Sequence, residues 1–378
     1  VAEFAVAHSP QLQAVAAEAD VVAADRRRAL AWSNPSLAYD HEEAEAFREW
    51  QLTFHKRVTR PFSRDDLHRA WDRRVESVGL RTRQATRDLV AELEGGYVQI
   101  RLLESLLQRF DRLGELVTMA AGVARERHEA GELSGLERRL VRLAAYGVAS
   151  AESQTRRHLA RERAAWRAAM GISAPRQVRL TTAIDFQPVV LDGIAGLQER
   201  LLGSPGDRAQ VALARALAAE AEAATPGLLA GLDVYGGYRR FEPDRDGFVA
   251  GVAIDLPLFD RGRAASAHLR AEQARVESNL ATDRARRAAD VAALVESLQD
   301  LQALLADPAG DLVAAVPADA LVASYREGAI SLDELLGAIQ VEIAALEAYQ
   351  RDLTTYYRHV FRLEALTGVT LVRVPPRE

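Results

Sequence analysis

The side chains able to do chemistry in this 378-residue chain are few in kind and thinly spread. It has no cysteine, which excludes disulfides, thiolate metal sites and cysteine nucleophiles together. The eight histidines are His8, His41, His55, His68, His128, His158, His268 and His359, and no two of them stand at the i, i+3 or i, i+4 spacing of helical metal ligands. Walker loops and dinucleotide fingerprints are also missing. The chain does not read as an enzyme, and no catalytic residue, metal site or cofactor is expected. What does recur is a carboxylate: Glu137 and Glu334 each stand six residues beyond a glycine, Gly131 and Gly328.

Those acids belong to a longer repetition. Gly131-Glu132-Leu133-Ser134 is followed, forty residues after its glycine, by Gly171-Ile172; Gly328-Ala329-Ile330-Ser331 is followed at the same distance by Gly368-Val369. The offset is 197 residues at both ends, so a long helix, a tight glycine turn and a returning helix are written twice. In each copy the glycine can end one helix and the serine can cap the next.

Composition narrows the class. Hydrophobic residues make up 48% of the chain, yet no apolar run approaches the roughly 18 residues of a transmembrane helix. A net charge of −6 supplies no concentrated basic face, so no nucleic-acid partner is expected. Arginine nearly monopolises the positive charge, with Lys56 the only lysine, a feature of genomic composition. The chain opens at Val1 with neither methionine nor an apolar leader, which leaves export undecided.

From Phe62 to His128 no proline interrupts a helical sequence of about 67 residues, a rod of about 100 Å at 1.5 Å per residue. Leu89, Leu93, Gly96, Ile100, Leu103, Leu107, Phe110, Gly114 and Val117 form a heptad seam on it. Leu102, Leu106, Leu113 and Leu116 form a second seam on a neighbouring stripe, so the helix needs two neighbours. In the second half Leu332, Leu336, Ile339, Ile343, Leu346, Leu353, Tyr357 and Val360 keep heptad spacing, broken at Gln350. A coiled coil of purely structural use would explain these helices alone.

Ahead of each long helix the period changes to two. Trp50, Leu52 and Phe54 alternate with Gln51, Thr53 and His55; Phe248, Ala250, Val252 and Ile254 alternate with Val249, Gly251, Ala253 and Asp255. Preceding strands contain Leu37 and Tyr39, and Leu232, Val234 and Tyr238, so each half carries a β-hairpin. Eleven of the 23 aromatic residues fall in the windows 32–62 and 235–259. Aromatic girdles on one apolar face suit a lipid-embedded barrel, and a small layer packed on helices would show the same alternation. Four strands cannot close a barrel, so several copies must pool theirs unless something else covers the edges.

The boundaries that follow are 1–172 for the first repeat, with short helices in 1–33, a β-hairpin in 34–60 and a long helical hairpin in 61–171. An irregular connector spans 173–206. The second repeat spans 207–378, with a helix in 207–224, a β-hairpin in 225–258, a long helical hairpin in 259–368 and a tail in 369–378. Pro308 and Pro317 should break the second long helix, where the first is continuous.

The order of these pieces resembles the outer membrane factor family of bacterial efflux systems, the TolC-like channels, and within it the branch serving heavy-metal and related resistance-nodulation-division pumps. The residues that carry the resemblance are Asn34-Pro35-Ser36-Leu37 at the start of the first hairpin and Leu256-Pro257-Leu258-Phe259-Asp260-Arg261-Gly262-Arg263 at the exit of the second. To these are added Ser324-Tyr325-Arg326-Glu327-Gly328-Ala329-Ile330-Ser331-Leu332-Asp333-Glu334-Leu335-Leu336 and the terminal Leu366-Thr367-Gly368. The resemblance covers almost the whole chain. It implies a mainly α protein with a small β part, whose long helical hairpins form a periplasmic α-barrel. Four strands per protomer would join in a homotrimeric, 12-stranded outer-membrane β-barrel, with Trp50, Leu52, Phe54, Phe248, Val252 and Ile254 facing lipid.

The implied function is passive conduction of metal cations or small toxic compounds from periplasm to outside, as the outer-membrane part of a tripartite efflux system. The implied partners are a periplasmic adaptor, an inner-membrane pump of the resistance-nodulation-division type and outer-membrane lipid. Gly131, Leu133, Ser134, Gly328, Ile330 and Ser331 become the tips that meet the adaptor. Glu137, Glu334 and Tyr325 become the pore constriction, with a Tyr325–Glu137 hydrogen bond of about 1.5–3 kcal/mol expected to hold it closed. Ile330 replaces a tip arginine and Gly337 a further acid found in some members. Tyr325 aligns with His128 across the repeat. A soluble coiled-coil scaffold or adaptor is the alternative, and it would not need two aromatic-rich hairpins.

Overall fold

A computed structural model describes residues 2–44, 47–59, 64–132, 134–172, 180–182, 184–191, 193–225, 231–242, 245–255, 259, 261–306 and 318–371. Leu133, the start of the second hairpin at Pro226-Gly227-Leu228, its exit at Leu256-Pro257-Leu258 and the expected break at 307–317 lie outside these residues. The elements are α1 (Ala2–His8), α2 (Pro10–Leu30), β1 (Ser36–Ala44), β2 (Phe47–Thr59), α3 (Arg64–Glu129), α4 (Gly135–Ala169), α5 (Ile194–Leu202) and α6 (Pro205–Ala224). They continue with β3 (Gly231–Glu242), β4 (Arg245–Asp255), α7 (Arg263–Ala306), α8 (Ala318–Arg326) and α9 (Leu332–Thr367). Two compact units result, and each draws on both halves of the chain: 1–13, 84–204 and 287–378 form one, 14–83 and 205–286 the other.

In the first unit the core is helical. Leu89, Leu93, Ile100 and Leu103 of α3 pack with Leu159, Trp166 and Met170 of α4 and with Ala5 and Leu12. Leu102 on the neighbouring stripe packs instead with Leu353, Tyr357 and Val360 of α9 and Val291, Val295 and Leu298 of α7. Both seams of α3 are thus buried within one chain, whereas the sequence alone left open where their neighbours come from. Gly96 lets α4 approach: a Cβ there would stand 2.8 Å from the Trp166 ring, whose Nε1 donates to the Leu93 carbonyl at 2.8 Å.

Part of the connector is also held by specific bonds. The Tyr356 hydroxyl donates to the Gln187 carbonyl at 2.9 Å and accepts from the Val189 amide at 3.1 Å, and the Tyr357 hydroxyl donates to the Asp185 carbonyl at 2.5 Å. Burial pushes the Tyr357 phenol up to about 12, so it stays a donor.

The second unit joins the sheet to helices. Its order is β1-β2-β3-β4, antiparallel throughout, and the two hairpins meet where β2 pairs β3, with Leu52 opposite Tyr238. Among the helices of this unit, α6 is alanine-rich, and small side chains such as Ala209, Ala212 and Ala216 are buried. Ser77 of α3 donates to the Ala209 carbonyl at 2.8 Å. Arg284 grips the buried Asp207 through two bonds of 2.6 and 2.9 Å, a bidentate pairing that fixes geometry as well as charge.

Replacing Tyr356 with Phe leaves the buried Val189 amide unsatisfied. The expected loss is about 1–3 kcal/mol of stability, read as a lower melting temperature by circular dichroism; an unchanged melt would show that the connector is held otherwise.

Candidate functional site

Both helical turns are built by the same local rule. α3 ends in a Schellman motif: the Glu132 amide donates to the Arg127 carbonyl at 2.8 Å and the Gly131 amide to the His128 carbonyl at 3.0 Å, with Gly131 at φ +79°. α8 ends alike, with Ala329 donating to Ser324 at 2.8 Å, Gly328 to Tyr325 at 3.2 Å, and Gly328 at φ +75°. Only glycine adopts that backbone without strain.

Each turn is then followed by a capping box. The Glu137 amide donates to Ser134 Oγ at 3.2 Å, and the Ser134 amide donates to Glu137 Oε2 at 2.7 Å. At the other turn, the Glu334 amide to Ser331 Oγ and the Ser331 amide to Glu334 Oε2 repeat these distances. The two acids that recur 197 residues apart are therefore the N3 carboxylates of two helices, and each satisfies an amide that helix geometry would orphan. The Ser134 and Ser331 amides hold the respective carboxyls below the usual glutamate range.

The expected Tyr325–Glu137 bond is not formed within the chain. Tyr325 is 1% exposed, packed in a cluster with Phe110, Val117, Val141 and Leu335, and its hydroxyl has no hydrogen-bond partner among the described residues. Burial raises the phenol's pKa. The Glu137 carboxylate is turned instead to its own helix start. The charged side chain that reaches Tyr325 is Arg127: its guanidinium lies 5.5 Å from the ring centroid, and its Nη1 stands 3.5 Å from the Tyr325 carbonyl. Arg127 also pairs with Glu132 at 3.4 Å, so it links the two turns. The sequence reading missed it; the signal available was an arginine four residues before the turn glycine.

In the other unit the sheet separates its residues by face. Cross-strand partners share a face, and Tyr39, Leu52, Tyr238 and Phe248 form one row, with Leu37, Phe54, Gly236 and Ala250 the next. Lys56, Val234 and Val252 follow, then Val58, Leu232 and Ile254. Trp50, Leu52, Phe54, Phe248, Val252 and Ile254 all lie on this apolar face, where Phe248 is 91% and Val252 60% exposed. Trp50 lies 6.5 Å from Tyr39 and 5.5 Å from Tyr238, and Tyr238 meets Phe248 at 6.0 Å, an aromatic row crossing all four strands.

The opposite face carries Asp40, Glu42, Glu49, Gln51, Thr53, His55, Arg57, Asp233, Arg239, Arg245 and Asp255. Charges cross it in pairs: Arg239 with Glu49, Arg57 with Asp255 at 2.5 Å, and His55 facing Asp233 at 3.6 Å. Glu49 and Arg57 of the first hairpin are thus on the polar side. Among the described residues, no group of three or more His, Asp or Glu is placed to hold a metal.

Ser134→Ala and Ser331→Ala should each cost about 1 kcal/mol of local stability, seen as faster amide exchange in the first turns of α4 and α9. Because the carboxyls are held low, their contribution is complete at neutral pH and disappears as pH falls from about 4.3 through the depressed folded values. Wild-type exchange at the tips should accelerate across that acid range, and Glu137→Gln with Glu334→Gln should flatten the dependence, since glutamine can keep the box without titrating.

The chain matches no protein-family model and no curated protein. Solved structures do share its fold. CusC, described for conformational changes accompanying folding and transmembrane channel formation, superposes with a TM-score of 0.80 over 97% of this chain and 91% of its own, at 17% identity. The outer membrane protein VceC of Vibrio cholerae gives 0.77 over 98% and 95%, at 15% identity. The open state of the MtrE outer membrane channel of Neisseria gonorrhoeae gives 0.66 over 98% and 88%, at 14% identity. Long helical hairpins joined to four antiparallel strands per protomer are common to them, and the chain has the fold of the TolC-like outer-membrane channels.

Proposed function

We propose that this chain is the outer-membrane channel of a tripartite efflux system, working as a homotrimer that conducts passively. The observation that carries the reading is the sheet: four strands with an exposed apolar face, a charged opposite face and two open edges, in a chain of outer-membrane channel fold. Three copies supply twelve strands and close the edges, which puts the apolar rows toward lipid and the charged face toward a water-filled lumen. Leu52 to Val58 is seven residues, about 20 Å along the strand, against an apolar band of about 25 Å in such barrels. The helices form the periplasmic α-barrel of this reading. A soluble scaffold gives no reason for the exposed aromatic row.

In this reading the capped turns are the periplasmic tips. Gly131, Leu133, Ser134, Gly328, Ile330 and Ser331 meet the adaptor, while Glu137, Glu334 and Tyr325 line the constriction. The buried Tyr325 hydroxyl, unpartnered in one chain, is the group left for a contact between tips in the closed trimer. A duct takes its cargo from the pump, and metal cations or small toxic compounds are the substrate classes of this reading. No step of catalysis is required.

Mass measurement after detergent extraction should give a trimer that needs detergent to stay in solution; a water-soluble monomer or dimer would overturn the channel. Planar-bilayer conductance should rise severalfold in Tyr325→Phe or Glu137→Ala. Unchanged conductance in both removes the constriction residues and leaves the channel standing.

A further inference from the structure

At the helix end of the sheet, three side chains converge that neither the channel fold nor the tips require. Trp32, between α2 and β1, is 55% exposed, and its ring carries two cations: the Arg64 guanidinium at 4.0 Å and the Lys56 ammonium at 5.8 Å from the centroid. Lys56 is the one lysine of the chain and the one charged side chain within the four apolar rows of the sheet. A cation in that position must reach for the water interface. It does so toward Trp32, where its Nζ donates to the Ser33 carbonyl at 2.5 Å, while Arg64 Nη2 donates to the Leu30 carbonyl at 2.5 Å. Each keeps donors to spare, since an ammonium has three and a guanidinium five. Neither cation pairs with a carboxylate among the described residues, although Arg57, the next residue on the strand, pairs with Asp255 on the opposite face.

We propose that Trp32, Lys56 and Arg64 form a binding site for the headgroup phosphate of an anionic phospholipid in the inner leaflet of the outer membrane. The inference rests on the channel reading, which makes the apolar rows the lipid face. Two unpaired positive charges at the foot of that face match one phosphate, and the flanking apolar side chains Phe54, Val234 and Ile254 match the acyl chains. An indole at the same depth is the side chain that interfacial water and hydrocarbon share. Zwitterionic lipid offers the same phosphate with a choline that two cations repel.

The test uses the full-length trimer in vesicles of phosphatidylcholine containing either brominated phosphatidylglycerol or brominated phosphatidylcholine. Quenching of Trp32 is taken as the difference between wild type and Trp32→Phe. It should be at least twofold stronger with brominated phosphatidylglycerol. That preference should vanish in Lys56→Gln/Arg64→Gln, persist in Lys56→Arg, and survive millimolar inorganic phosphate. Equal quenching by the two lipids, or an unaltered preference in the double glutamine variant, overturns the site while the inserted trimer keeps the channel reading. Competition by inorganic phosphate also overturns it, in favour of a free-anion site. A chain that never enters vesicles overturns both.

Discussion

A four-stranded antiparallel sheet leaves the outer backbone groups of β1 and β4 with no strand to bond, and no arrangement of four strands removes that deficit. The deficit coincides with an exposed apolar face on the same sheet, so two demands that one chain leaves unmet point to the same remedy. Pooling strands between copies would satisfy the edges, and lipid would accept the face. Everything else about the sheet is consistent with that remedy: the aromatic row crosses all four strands, and the charged residues of the other face pair with one another rather than with solvent alone.

The tips obey a different constraint. A helix end exposes amides and carbonyls that need partners, and here a Schellman turn and a capping box fill those needs within about ten residues of sequence. Because every partner is local, the second copy reproduces the first almost bond for bond. This gives Glu137 and Glu334 a structural duty that competes with any role in the pore: a carboxylate bonded to its own helix start is already engaged. Arg127, by contrast, has no counterpart across the repeat, where Ser324 aligns with it, and it ties one turn to the other. Asymmetry between the tips therefore resides in long side chains that reach across, not in the turns themselves.

Much of the fold was legible because its determinants are short-range. The glycines at 131, 171, 328 and 368 all adopt positive φ, and the serine caps follow from spacing. Strand alternation assigned the apolar face residue by residue. What sequence did not disclose was the outcome of competition between side chains far apart in the chain. Tyr325 looked like a donor to Glu137, yet the local capping bond claims that carboxylate, and Tyr325 is buried beside Arg127 instead. In the first hairpin it is the register that assigns Glu49 and Arg57 to the polar face and leaves Lys56 as the one charge within the four apolar rows.

The sequence by itself determined the repeat, the helix ends and the two faces of each hairpin, because each depends on residues within a turn or a pleat of one another. Only the tertiary structure decided that β2 pairs β3, that α4 covers one seam of α3 while α7 and α9 cover the other, and that Trp32 receives Lys56 and Arg64. A heptad stripe states that a helix needs a neighbour; it does not encode which of several equally apolar stripes will supply the better packing.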